Sequence, residues 1–236
     1  MRAEKSKIVK VFEDKNLLLL NKPAGLIVNR SQTAKESTLQ DWLEKNLKNL
    51  PDIGGRSGIV HRLDKETSGL ILVAKTADAF EKLQRQFKEK KVEKHYLALA
   101  HGKVFPKKGV IKASIRRNPF DREKFGVFLG GREAETRYKI LRYYDTRKLG
   151  KFTLLELTPK TGRTHQIRVH LKYLGYPVVG DDKYAGRKTA RSDRRWCPRQ
   201  FLHASFLVFR HPQTGKKLEF SCPLPDDLKK VLKTLR

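Results

Sequence analysis

The sequence predicts an α+β fold with a mixed or antiparallel sheet, and three observations predict it. Short apolar blocks of strand character follow one another in series, only a few segments carry a helical apolar stripe, and no internal repeat or long linker interrupts them. The 236 residues suffice for one large domain or two small lobes.

The first block, "NLLLLNKPAGLIV", reads as a strand, a turn at Lys22-Pro23-Ala24-Gly25 in which Gly25 takes a positive φ, and a second short strand from Leu26 to Val28. In "STLQDWLEKNLKNL", Thr38 with Asp41 three residues on has the form of a capping box. Leu39, Trp42, Leu43 and Leu47 make the apolar stripe of a helix ending near Leu50. Ile59 and Val60 read as a strand entering "HRLD", and Leu70 to Ala74 as the next strand. Residues 77 to about 90 place Phe80, Leu83 and Phe87 on one side of a helix. "KHYLALAHGKV" alternates as a strand, and the span from about Gly109 to Leu157 reads as several antiparallel strands. Thr164 is placed to cap a helix with Ile167, Leu171 and Leu174 buried and His165, Arg168 and Lys172 on another sector. "FLHASFLVF" is a strand, and "PLPDDLKKVLKTL" a closing helix.

Charge narrows the function. With 53 Lys and Arg against 25 Asp and Glu, the net charge is +28, which points to a polyanionic partner, nucleic acid before an anionic membrane. No run is long and apolar enough for a membrane span, and the opening "MRAEKSKIVK" lacks the apolar core of an export signal. The two cysteines form no CxxC, which fits a reducing compartment and hence the cytoplasm. The histidines show neither HExxH nor zinc-site spacing, so no metal is expected. No GxSxG elbow, dinucleotide fingerprint or Walker A loop occurs.

In "GIVHRLDKETSGL", Asp64 stands before a turn-prone Thr67-Ser68-Gly69, held at a rigid edge yet able to reach a cleft. A guanidinium beside it would keep it ionised, suited to attack at a sugar carbon, to stabilise an oxocarbenium-like cation or to accept a proton. The competing role for Asp64 is to order its own turn. His61 is read as either a buried hydrogen-bonding residue or a base. Tyr96 is read as a strand core position or as a ring that stacks on an extruded base. Thr161, Arg163 and Thr164 at a helix start could hold a phosphate or a carboxylate. "RKTARSDRRWCPRQ" is either a solvated basic loop over 186–199 or a segment that orders on a phosphate backbone, and Trp196 is expected to pack against its own loop.

These blocks together resemble the RluA class of RNA pseudouridine synthases. "GIVHRLDKETSGLILVAKT" is similar to the class signature. "NLLLLNKPAGLIV", "KVEKHYLALAHG", "GREAETRY", "LTPKTGRTHQIRVHLKYLGYPVVGDDKYAG" and "FLHASFLVFRHPQTG" with "FSCPLP" follow in the family's order, covering about residues 11 to 225. The resemblance implies an α+β fold with a mixed, mainly antiparallel central sheet flanked by helices and an active cleft across its middle. It implies isomerisation of a uridine in a structured rRNA or tRNA stem-loop, with no cofactor. It implies Asp64 as the catalytic aspartate, Tyr96 as the tyrosine against the target base, and Arg168 as the arginine that pairs with the aspartate. Arg62 would displace or replace the target nucleotide, Arg163 and His165 would contact RNA, and Leu202 would touch the base. The basic stretch adds Arg191, Arg194 and Arg195 as RNA contacts. Residues 1–10 are expected to be an N-terminal extension and residues 11–236 a monomeric catalytic domain without the S4 domain of many relatives. The rival classes are a non-catalytic RNA-binding protein retaining the fold and a metal-dependent nuclease.

Overall fold

Leu17, Leu18, Leu19 and Leu20 are all fully buried, so the strand they form is covered on both faces and needs no polar alternation. The computed structural model describes residues 7–30, 36–47, 50, 52 and 55–235. The elements in chain order are β1 (Val9–Glu13), β2 (Leu17–Lys22), α1 (Leu39–Asn46), β3 (Ser68–Ala74), α2 (Ala77–Lys88), β4 (Glu93–His101), β5 (Lys108–Lys112) and β6 (Ile115–Arg117). They continue with β7 (Phe125–Val127), β8 (Glu135–Thr146), β9 (Gly150–Pro159), α3 (Gln166–Tyr173), α4 (Arg187–Asp193), β10 (Leu202–Arg210), β11 (Lys217–Ser221) and α5 (Asp226–Thr234). The fold is α+β, and the described strand pairs are antiparallel.

The chain divides into two compact units, Met1–Val92 with Phe206–Cys222 and Glu93–Ser205 with Pro223–Arg236. In the first, β1, β2 and β3 pair in sequence, with Val9 opposite Asn21 and Leu20 opposite Ile71. Val9 and Lys10, the last described residues of the expected extension, pair with Asn21 and Leu20 of β2. Phe206 to Arg210 pair with β11 in the same unit. Its core gathers Leu17, Leu19, Leu70, Leu72, Phe80 and Leu83 with Leu207 and Phe209. α1 begins on the expected capping box, with Thr38 and Asp41 bonding each other's backbone N–H, and α2 on Thr76.

In the second unit, β4 pairs with β9, β9 with β8 and β8 with β5. α3 buries Ile167 and Leu171 with Ala98, Leu155, Leu157 and Leu202, while α5 buries Leu228 and Val231 with Leu99, Phe152 and Phe201. β6 and β7 form a separate two-stranded hairpin.

Several boundaries differ from the sequence reading. α1 stops at Asn46, with Leu47 extended as its C-cap, and α2 stops at Lys88 because Lys90 takes a positive φ of 59°. Lys48 and Asn49, in the expected last turn of α1, lie outside the described residues. Leu26 to Val28 make only a single bridge, Ile27 with Thr38. Ile59 likewise bridges Val73 without starting a strand. The reason is visible one turn on, where the Leu72 N–H donates to His61 Nε2 at 2.9 Å, so an imidazole stands where a strand would place a carbonyl. Thr164 does not cap α3. His165 holds that position with φ 55° and ψ 20°, and no side-chain cap bond forms there. The basic stretch is not a loop throughout, because Arg187–Asp193 is helical, with Ala190 and Asp193 turned inward.

Candidate active site

Asp64 lies in the first unit, half-buried, in a tight segment between Leu63 and the buried Thr67 and Ser68. Its carbonyl accepts the Thr67 N–H at 3.1 Å, closing the turn that the Thr-Ser-Gly composition foretells. The next carbonyl, of Lys65, accepts the Gly25 N–H at 2.9 Å and the Lys22 ammonium at 3.1 Å. That ammonium also donates to the carbonyls of Pro23 at 2.8 Å and Leu26 at 2.9 Å, and Lys22 is fully buried. Burying a charge this deeply costs much unless its donors are met, so three carbonyl bonds from two segments fix the loops to each other. Gly25, at φ 82°, turns its N–H toward Lys65 as the Lys-Pro-Ala-Gly turn requires. Sequence reasoning missed Lys22. The signal was a lysine closing a strand of four buried leucines and an asparagine, directly before a proline.

Around Asp64, His61 stacks on Phe87 with ring centroids 4.8 Å apart. Together with its bond to Leu72 this gives the imidazole a structural place in the unit. Lys65 pairs with Glu36 at 2.8 Å on the surface. Arg62 is exposed at the rim of a cavity lined also by Asn29, Arg30, Gln40, Glu44 and Arg56. Arg30 is tied to Asp41 at 2.6 Å and to Glu44. The Asn29 Nδ2 is buried at this cavity with no hydrogen-bond partner among the described residues.

The other two catalytic candidates belong to the second unit. Tyr96 is half-buried on β4 opposite Leu157 and packs against the cluster that contains Leu202, Ile167 and Leu171. Tyr96 and Leu202 are thus brought together. Two residues before Tyr96 on the same strand face, Lys94 is pushed down to about 8, first by burial and then by the charge of Lys160. The sequence reading did not single it out.

Arg168, on the sector of α3 away from Ile167 and Leu171, is buried as well. Its guanidinium forks onto Asp181, with Nε to Oδ2 at 2.7 Å and Nη2 to Oδ1 at 2.8 Å. Asp181 is itself fully buried and accepts the N–H groups of Lys183 at 3.0 Å and Tyr184 at 3.1 Å. The face of the Tyr184 ring lies 4.9 Å from the Arg168 guanidinium carbon, a cation–π contact. His165 Nδ1 is 2.8 Å from the Tyr184 hydroxyl. Arg163, half-buried, donates from Nε to the Glu133 carbonyl at 3.1 Å and from its backbone N–H to Gln166 Oε1 at 3.0 Å. Asp181 and Tyr184 were legible only as part of the "GDDKY" block, without roles.

Of the basic stretch, Arg191 and Arg195 are exposed. Arg194 is half-buried and donates to the Pro198 carbonyl, and Arg199 is buried with Nε 2.6 Å from Asp227 Oδ2. Trp196 packs edge-on against Phe152 at 5.2 Å. Among the described residues no group of three His, Cys, Asp or Glu side chains is placed to hold a metal, and no helix is long and apolar enough to cross a membrane.

A family model described as RNA pseudouridylate synthase matches residues 16–173, a span that holds the Asp64 turn, Tyr96 and Arg168. The chain belongs to the RNA pseudouridylate synthase family. It is 41% identical over 95% of its length to an uncharacterized RNA pseudouridine synthase, YlyB, of Bacillus subtilis. It is 43% identical over 96% of its length to the ribosomal large subunit pseudouridine synthase D of Nitrosomonas europaea, and 40% identical over 96% to that of Pseudomonas aeruginosa. It spans 72%, 64% and 71% of those three relatives. Its fold is similar to human RNA pseudouridylate synthase domain containing 1, with a TM-score of 0.76 at 28% identity over 95% of this chain and 86% of that one. Membership makes the chain an isomerase that converts uridine in RNA to pseudouridine, the reaction the family blocks imply.

Proposed function

We propose that this family member modifies a uridine in structured ribosomal or transfer RNA, with Asp64 as the reacting carboxylate. The target base leaves its stack, the C1′–N1 bond breaks, the uracil turns, and C5 joins C1′ before the C5 proton is lost. Atoms balance within the nucleotide, so the chemistry asks for a placed carboxylate and a pocket. Asp64 either adds to C1′ or takes the C2′ proton. Tyr96 lies against the uracil, Leu202 lines the apolar side, and Arg168 supplies the cation that pairs with the aspartate. Arg62 takes the place of the extruded nucleotide, and its exposure beside the buried Asn29 amide supports that role.

The observation that carries the reading is the clamped turn, in which Lys22 and Gly25 fix the loop bearing Asp64 within the family-matched span. RNA binding draws on the net charge of +28 and on exposed groups of the second unit, namely Arg191, Arg195 and the β6–β7 hairpin with Arg122 and Phe120, the latter 93% exposed. Arg163 and His165 contribute from the start of α3. The protein acts as a monomer in the cytoplasm. The names of the relatives from N. europaea and P. aeruginosa favour large-subunit ribosomal RNA over transfer RNA. Mapping pseudouridines in both RNAs from cells with and without the gene tests this. A ribosomal position that loses its pseudouridine and regains it with the purified protein is expected, and unchanged maps in both RNAs overturn the proposal.

A further inference from the structure

Tyr184 touches two things at once. Its hydroxyl accepts the Phe125 backbone N–H of β7 at 3.0 Å, leaving its own proton available to His165 Nδ1. Its ring lies over the Arg168 guanidinium, and its backbone N–H donates to Asp181, which holds that guanidinium in a fork. The rings of Phe125 and His165 meet edge to face at 5.7 Å, those of His165 and Tyr184 at 5.6 Å, and Arg117 of β6 lies over Phe125 at 5.0 Å. Ile115, Ala134, Val169 and Tyr184 form a small core of their own, with Phe125 and Val127 packed on it. His165 is a non-glycine residue at φ 55°, a conformation that persists where surrounding contacts hold it.

We propose that Tyr184 is a positioning residue that couples the β6–β7 hairpin to Arg168. The hairpin is a two-stranded ribbon, marginal alone, so its seat depends on what it docks against. The polar part of that dock is the hydroxyl of Tyr184, beside the apolar cluster of Ile115, Ala134 and Val169, while the ring face of the same side chain sets where the arginine stands. RNA held at the tip, through Phe120 and Arg122, is thereby registered at the buried guanidinium. The inference rests on the proposed function, which gives the hairpin its RNA contact and Arg168 its pairing with the reacting carboxylate.

Two substitutions separate the two ends. Tyr184→Phe removes the hydroxyl and keeps the ring over Arg168. Tyr184→Met removes the ring and keeps an apolar, though smaller, side chain. Conversion of a large-subunit ribosomal RNA transcript is measured for each, corrected for the folded fraction. The phenylalanine variant is expected to raise KM about tenfold with kcat within twofold of wild type, the loss of two hydrogen bonds of modest net worth. The methionine variant is expected to lower kcat at least tenfold as well.

A double-mutant cycle supplies a readout that a packing role would not move. The exposed pair Phe120→Ala and Arg122→Ala is expected to raise KM in wild type and to raise it less in the Tyr184→Phe background. Additive effects, or variants whose only change is a smaller folded fraction at unchanged KM and kcat, overturn the proposal, and this holds if the methionine variant does not fold. A wild-type protein that converts no uridine in ribosomal or transfer RNA refutes the proposed function instead, whatever the variants do.

Discussion

Arg168 and Asp181 meet as a two-bond fork, 2.7 and 2.8 Å long, with side chains only 5% and 0% exposed. A fork of this kind fixes both the place and the plane of a guanidinium, which a single bond to lysine would not do. Because both groups are out of water, each depends on the other's charge. Asp181→Asn keeps an acceptor for the N–H groups of Lys183 and Tyr184 but removes the negative charge. It is expected to destabilise the protein by about 3 kcal/mol in urea unfolding. A change below about 1 kcal/mol would mean that the pair carries little of the fold.

Gly58 sits at φ 77° where a β carbon would lie 2.1 Å from the Ala74 carbonyl oxygen, and that carbonyl is part of the backbone of β3. The Ala74 N–H in turn donates to the Gly58 carbonyl at 2.8 Å. Gly58→Ala is expected to cost about 2 kcal/mol or more through backbone strain and displacement of this pairing, three residues before His61. Circular dichroism melts measure it. A variant as stable as wild type would show that the 58–61 segment does not depend on that close approach.

Burial pushes the Cys197 thiol up to about 12 and raises that of Cys222 as well. The thiolate is the reactive form, so at pH 8 neither cysteine is expected to react with iodoacetamide in the folded protein, and both should react on unfolding. The linkage sign follows directly. Above the ordinary thiol value near 9 the unfolded chain sheds a proton that folded Cys197 keeps until about 12, so this thiol lowers stability as pH rises through that window. Cys197→Ser variants should therefore show a flatter stability profile above pH 9. Fast labelling of the native protein at pH 8 would contradict the buried placement.

Exposed Arg191 lies on α4 and exposed Arg195 in the turn that follows it, whereas Arg194 and Arg199 are engaged with the protein itself. Arg191→Ala with Arg195→Ala is expected to weaken RNA binding. The slope of log affinity against log salt should shrink by roughly 0.7–0.9 for each phosphate that is no longer neutralised. Thermal stability should stay within about 0.5 kcal/mol. Filter binding across a salt series measures both slope and affinity. An unchanged slope would remove this segment from the RNA surface.

What the sequence made legible was local. Thr38 with Asp41, Gly25 in its turn, the alternation around Tyr96 and the stripe of Ile167 and Leu171 all depend on neighbours within a few residues, and each is where the pattern placed it. Partners distant along the chain were not legible. Nothing near Lys22 says that its ammonium will meet the Lys65 carbonyl 43 residues away, and nothing near Arg168 says that Asp181 will receive it. The failure at Thr164 has the same origin. Threonine is the better cap by propensity, but the bond between His165 and Tyr184, 19 residues on, accompanies a left-handed histidine at the cap position instead. The polar composition of 186–199 predicts either a solvated loop or a segment that orders on a phosphate backbone, and neither reading contains the helix Arg187–Asp193. That helix is anchored by Asp193, which accepts from the Gly180 N–H at 2.9 Å and pairs with His101.

The central claim is that the carboxylate of residue 64 carries the reaction. The most direct measurement is the pseudouridine yield of purified Asp64→Asn protein in single turnover on the RNA that wild type modifies, with circular dichroism and RNA affinity taken on the same sample. The account predicts a native fold, affinity within about threefold of wild type and no detectable conversion. Wild-type conversion by that variant would contradict it.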